Sequence, residues 1–139
     1  MFKNILFPVD LDQDSSLAAL PAAGEIARRF EGNLTLLNVQ TPMPSMVSAY
    51  LPEGYPQESV RAIGDRLKAA IDEHRLGAGT DVAVRHGTPH HEILDFATKE
   101  KMDLIIIASH HPGLADYLLG STAGQVVRHA QCSVLVLRD

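Results

Sequence analysis

A chain of 139 residues with 45% apolar and 21% charged residues has the size and composition of one soluble globular domain, residues 1–139, large enough to bury a core without staples. Its formal charge of -5 argues against a general nucleic-acid or anionic-membrane binder, although one local loop of an acidic protein can still hold phosphate. The single Cys132 excludes an intrachain disulfide framework and suits a reducing cytoplasm, and the opening Phe2-Lys3-Asn4-Ile5-Leu6-Phe7, cut short by Pro8 and Asp10, reads as neither a leader nor a membrane span.

Ile5 to Val9 reads as a short buried strand. Asp12, Asp14, Ser15 and Ser16 are candidate caps for a helix that runs to Phe30 with Leu17, Leu20, Ala23, Ala27 and Phe30 on one face. Pro21 falls inside that pattern, where it would cost about 3 kcal/mol, so a late start or a kink is expected. Gly32-Asn33 punctuates, and Leu34 to Val39 is the second strand. Residues Gln40 to Pro56 hold four prolines and read as a long loop, either functional or a simple connection.

Val60, Ile63, Leu67, Ala70, Ile71 and His74 follow helical spacing, which predicts the longest helix over Glu58 to Leu76. Asp81 to Arg85 is a third strand, with Val82 and Val84 on one face. Thr88 is a good N-cap and Pro89 a good first residue for a helix to Lys99 that buries Ile93, Leu94, Phe96 and Ala97. Leu104 to Ala108 is the most apolar strand. Gly120 or Ser121 opens a last helix to about Ala130, and Ser133 to Leu137 is the final strand.

Continuous apolar strands alternating with amphipathic helices imply an α/β fold with an open, doubly wound parallel sheet covered on both faces. In such sheets ligands bind beyond the carboxyl ends of the strands, where the strand order reverses. Pro8-Val9-Asp10, Asn38-Val39 and Ala108-Ser109-His110 should meet there. Gly113, Gly120 and Gly124 match neither the dinucleotide fingerprint nor the P-loop. Their place favours a phosphate cradle more than their spacing does, because the segment leaves a strand and enters a helix N-terminus. His90-His91 and His110-His111 do not read as a metal site, since adjacent helical residues do not face one another and no Cys or carboxylate pattern completes a set. No nucleophile is spaced beside a base, and the chain from Ala108 to Val127 has no Lys or Arg, so phosphoryl-transfer catalysis is the weaker reading.

Five stretches carry a resemblance to the universal stress protein family, of the UspA-like kind, over essentially the whole chain. They are Asn4-Ile5-Leu6-Phe7-Pro8-Val9-Asp10; Leu34-Thr35-Leu36-Leu37-Asn38-Val39; His86-Gly87-Thr88-Pro89; Asp103-Leu104-Ile105-Ile106-Ile107-Ala108-Ser109-His110; and Leu118-Leu119-Gly120-Ser121 with Val126 to Arg138 beyond it. The family's ATP-binding motif, G-2X-G-9X-G-[ST], is matched outright only at Gly120-Ser121. Ala108 and His111 stand at the first two glycine positions, and the last interval is one residue shorter. Ser109-His110-x-Pro112 followed by Leu118-Leu119-Gly120-Ser121 resembles a subgroup with a modified nucleotide loop.

The resemblance implies strand order 3-2-1-4-5 and a dimeric, cytoplasmic regulator of the stress response that binds ATP, ADP or AMP, with magnesium carried on the nucleotide. It implies that Asp10 bonds the ribose or base, that Pro8 and Val9 shape the adenine pocket, and that Val39 offers backbone groups to the adenine edge. Gly120, Ser121 and Thr122 would hold phosphates, and Ala108, Ser109, His110 and Gly113 would line the loop around them. The bland readings are a helix cap for Asp10 and simple N-capping by Ser121. A homodimer through residues 133–138 and an unidentified protein partner are implied, with no nucleic acid and no membrane insertion. The alternatives are a slow ATPase or nucleotidyl-transfer enzyme, and an interaction module that has lost its nucleotide.

Overall fold

The computed structural model describes residues 1–41, 55–109 and 119–138. The elements in chain order are β1 (Asn4–Pro8), α1 (Asp14–Ala18), α2 (Leu20–Phe30), β2 (Asn33–Gln40), α3 (Tyr55–Glu73), β3 (Asp81–His86), α4 (Pro89–Lys99), β4 (Leu104–Ser109), α5 (Ser121–His129) and β5 (Ser133–Arg138). The strands form one five-stranded sheet in the order β3-β2-β1-β4-β5, and every pairing is parallel. The expected doubly wound arrangement is therefore present. The chain walks outward from β1 to β3 and returns across the sheet to β4, so the order reverses between β1 and β4.

Period-two alternation within the apolar runs divides the core in two. Ile5, Phe7, Leu34, Leu36, Leu104 and Ile106 pack with Leu20, Ala23, Ile63 and Leu67 of α2 and α3. Leu6, Leu37, Ile105 and Ile107 pack on the other face with Ile93, Phe96, Ala97, Ala123 and Val126 of α4 and α5. Each fully buried side chain of this size contributes roughly 1.5–3 kcal/mol of transfer free energy, so the two faces together anchor all the longer helices.

Pro21 does break the first helical pattern. α1 ends at Ala18, and α2 starts afresh with the proline in its first turn, where a missing N–H costs nothing. The residue at the N-cap of α1 is Gln13, and no side chain caps it, so none of Asp12, Asp14, Ser15 or Ser16 has the capping role expected. α2 ends where Glu31 turns left-handed and Gly32 N–H reaches back to the Ala27 carbonyl at 2.9 Å. A Cβ on Gly32 would stand 2.5 Å from the Phe2 carbonyl oxygen, so the backbone crossing there requires glycine.

α3 stops at Glu73, short of the predicted Leu76. Arg75 is left-handed at φ 54 and ends the helix, yet Leu76 still reaches the core, which explains why its sequence spacing looked helical. Val60 was expected on the buried face and is exposed. Thr88 occupies the N-cap of α4 without making a side-chain capping bond. The Gln40–Pro56 loop expectation falls largely outside the described residues.

Candidate functional site

The first determinant of the site is a difference in pairing length. β1 pairs with β2 along its whole span, to Pro8 opposite Leu37. With β4 it pairs only at Ile5–Leu104 and Leu6–Ile105. The start of that pairing is clamped by Asp103, whose carboxylate accepts the N–H groups of Lys3 and Asn4 at 2.9 and 3.0 Å. Beyond Leu6 no further paired rung joins the two strands. The gap opens at the carboxyl end of the sheet, at the point where the strand order reverses, which is where open α/β sheets hold ligands.

A crevice of about 670 Å³ occupies this gap, within the range of small-molecule sites. Pro8, Val9, Asp10, Val39, Ala108, Ser109, Gly120, Ser121 and Thr122 all line it. The structure thus brings these predicted residues together from three strands and a helix. His110 and Gly113 lie outside the described residues.

On the β2 side the wall is fixed by buried polar bonds. Asn38 is 3% exposed, and its Nδ2 donates to the Val9 carbonyl at 2.8 Å. Gln40 Nε2 donates in turn to Asn38 Oδ1. Val9 N–H donates to the Leu37 carbonyl at 2.8 Å, and Gly87 N–H donates to the Gln40 carbonyl at 2.9 Å. Backbone groups alternate sides along a strand. Leu37 faces β1 and Gln40 faces β3, so the N–H and C=O of Val39 face the β1 side, where β1 has ended. This is the geometry that the expected backbone contact to a base edge requires.

Asp10 sits at the mouth with an exposed side chain. Its Oδ1 accepts Asp12 N–H at 3.0 Å, which closes a local turn. Its own N–H donates to Ser16 Oγ at 2.9 Å. Asp10 is therefore not a helix cap; Gln13 holds that position. Ser16, buried within α1, pins the turn that presents the carboxylate.

The opposite wall is the start of α5. Gly120 is its N-cap, extended at φ -62 and ψ 160, with no side-chain cap. Ser121 is thus the first helical residue and not the cap that the bland reading made it. Gly124 N–H donates to the Gly120 carbonyl at 2.8 Å, the first turn of the ladder. The N–H groups of Ser121, Thr122 and Ala123 precede it and have no intrahelical acceptor. Gly120 N–H, by contrast, is engaged by Ser109 Oγ at 3.2 Å. Ser109 ties the end of β4 to the helix start, and the donors facing the crevice begin one residue later than expected. Pro89, at the start of α4, also lines the crevice, so the starts of two helices border it.

Sequence reasoning placed Asn38 beside Val39 at this edge but did not single out Ser16, Gln40 or Pro89 for the site. Asn38 carried a signal, being a polar residue ending the run Leu34–Leu37. Ser16 and Gln40 carried none, because their roles depend on chain segments brought close only by folding.

A second cavity of about 420 Å³ lies at the other end of the sheet, between α4 and α5, with Met102, Ile105, His129 and Cys132 among its lining. Burial pushes the Cys132 thiol above its ordinary range, and the nearby Asp103 charge adds to this, so it is not an activated nucleophile. Among the described residues no group of three or more His, Cys, Asp or Glu side chains could hold a metal, and no helix is long and apolar enough to cross a membrane.

The family model described as the universal stress protein family matches residues 1–138. The chain belongs to that family. A universal stress protein of Methanocaldococcus jannaschii is 31% identical over 99% of this chain and 83% of its own length. Among solved structures, the universal stress protein UspA from Lactobacillus plantarum is 30% identical, with a TM-score of 0.78 over 99% of this chain and 98% of that one. A universal stress protein solved in complex with cAMP is 25% identical, with a TM-score of 0.65 over 98% of this chain and 97% of that one. The shared universal stress protein fold includes the β1–β4 reversal that opens the crevice.

Proposed function

We propose that this universal stress protein binds an adenine nucleotide in the β1–β4 crevice and works as a single-domain, homodimeric regulator of the stress response in the cytoplasm. The observation that carries the reading is the pairing of two walls. One presents the Val39 backbone and the Asp10 carboxylate; the other presents the uncapped N–H groups of Ser121, Thr122 and Ala123. A base edge needs a donor and an acceptor, a ribose offers hydroxyls to a carboxylate, and a phosphate suits a helix N-terminus. The relative solved with cAMP supports an adenine ligand for this fold.

The bound group in this reading is ATP, ADP or AMP. Its magnesium would travel on the phosphates, because the oxygen donors nearby are few and magnesium needs few protein ligands beside a nucleotide. Catalysis is not part of the proposal. The crevice presents no Lys or Arg among the described residues and no positioned base beside a nucleophile, which phosphoryl transfer requires.

Calorimetry with ATP, ADP and AMP tests the reading, together with mass spectrometry of ligand released from the purified protein. Saturable binding of at least one nucleotide, weakened by Asp10→Ala, is expected. No binding of any of the three at millimolar concentration would leave an interaction module without nucleotide.

A further inference from the structure

The cavity of about 420 Å³ between α4 and α5 has no part in the nucleotide reading. It lies where β4 and β5 begin, at the opposite end of the sheet from the crevice, and the two share no lining residue. Its volume is that of a small-molecule site. Its floor is apolar. Ile105 is fully buried in the sheet, and Leu94, Ala97, Met102 and Cys132 belong to the same core layer or pack against it.

The polar groups at the rim are mostly committed. Asp95 is paired with Lys99 at 3.0 Å, and Thr98 Oγ1 donates to the Leu94 carbonyl at 3.1 Å. Asp103, just beyond Met102, holds the N–H groups of Lys3 and Asn4. The chain turns left-handed at Lys101, φ 55, and this turn closes the end of α4. Glu100, Lys101 and Met102 N–H donate to the carbonyls of Phe96, Thr98 and Ala97 at 2.9, 3.3 and 2.8 Å. The negative end of that helix is thus answered by its own backbone. Lys101 is the exception. Its carbonyl accepts Asn4 Nδ2 at 3.3 Å, so its backbone is tied from both sides, yet its ammonium has no ion-pair partner among the described residues. Asp95 and Lys99 cancel, and one lysine charge is left at the rim beside the imidazoles of His91 and His129.

An apolar floor with one uncompensated cation at its edge suits an apolar body that carries one negative charge. We propose that this cavity is a second small-molecule site and that it takes a compact apolar monocarboxylate. The ring or chain covers Leu94, Met102 and Ile105, the carboxylate meets Lys101, and an imidazole N–H of His91 or His129 donates to it. A neutral molecule would bury the same area and leave the ammonium unpaired. A polyanion would meet one cation and bring its surplus charge beside Asp95. The proposal stands apart from the nucleotide reading, since no residue of the crevice enters it.

The test is an amide NMR titration of the whole chain with phenylbutyrate and, in parallel, with the uncharged phenylbutanol. Phenylbutyrate should give saturable shifts at Leu94, Met102 and Cys132 and leave Val39 and Ser121 unmoved, with a dissociation constant of about a millimolar, the order expected of so small a ligand. It should bind about threefold more tightly than phenylbutanol, the scale of one solvent-exposed ion pair. Lys101→Gln, on an exposed side chain, should remove that difference while phenylbutanol affinity holds, and the same spectra show that the variant is folded. Shifts that fail to saturate or that fall in the crevice would overturn the proposal. So would equal affinity for the two ligands, or a preference that survives Lys101→Gln.

Discussion

Single polar side chains hold this crevice open. Asn38 is the clearest case, because one buried amide satisfies the Val9 carbonyl and also accepts from Gln40. No buried side-chain nitrogen or oxygen among the described residues lacks a partner, so removing one end of this chain leaves a new orphan. Asn38→Ala should destabilise the fold by about 1–3 kcal/mol, the cost of an unpaired buried group, and should weaken nucleotide binding as the Val9 wall relaxes. Urea unfolding and calorimetry on the same variant check both parts. Gly87 acts through shape. It has φ +147, and a Cβ there would meet Glu92 Oε1 at 2.6 Å, while its N–H ties the β3–α4 turn to Gln40. Gly87→Ala should cost about 1–3 kcal/mol through combined strain and crowding, measurable by the same denaturant titration. Cys132 is a probe that reads burial and not binding. Its raised pKa keeps the thiol protonated through neutral pH, so alkylation should be slow at pH 7. The rate should reach half its plateau above the pH of about 8.5 expected of a free thiol. A half-plateau below that value would contradict the burial argument.

At the scale of elements, the crevice depends on where pairing begins and ends. Asp103 accepts two backbone N–H groups at the start of β1 and so fixes the β1–β4 register from the far end of the sheet. Asp103→Ala should lower stability by about 1–2 kcal/mol, reduced from the usual value of a charged hydrogen bond because the pair is partly exposed. Chemical denaturation would measure it, and an unchanged midpoint would show that the apolar rungs alone set the register. The strand and helix pattern was legible in the sequence because burial on two faces produces runs such as Leu104–Ile107, and because Pro21, Gly32 and Pro89 punctuate. Helix ends were less legible. Arg75 stops α3 through its backbone conformation, and Leu76 preserves the apolar spacing beyond the stop, so periodicity overshoots. Cap residues were misread for a related reason: Ser16 has the chemistry of a cap, but the Asp10 turn claims its hydroxyl. The splay between β1 and β4 had no local signature, since it is a property of how many rungs two distant segments share.

At the scale of the whole molecule, β5 closes one side of the sheet, with β4 as its only sheet neighbour among the described residues. Leu135 is 37% exposed on this terminal strand, and the segment Val134 to Leu137 is apolar throughout. An edge of this kind offers unpaired N–H and C=O groups to another chain. An isologous antiparallel pairing of two copies would satisfy both edges and cover Leu135. Val136 is a poor probe of this idea because it packs against the core under α4 and α5, so a charge there would damage the fold. Leu135 is the cleaner choice. Leu135→Lys should convert a dimer of about 30 kDa, twice a chain of this size, into a monomer while leaving the unfolding midpoint of the isolated chain nearly unchanged. Light scattering at micromolar concentration decides it. A wild-type protein that already runs as a monomer would remove the proposed assembly, and a dimer that survives the substitution would place the contact on another face. Nucleotide affinity measured across the same concentration range then shows whether assembly reaches the crevice. β5 is register-locked to β4 from Leu104–Ser133 to Ser109–Arg138, and Ser109 holds Gly120 at the start of α5. A load on the edge strand therefore has a direct mechanical route to the donors at the crevice, and affinity should fall or rise with dimer fraction if that route is used.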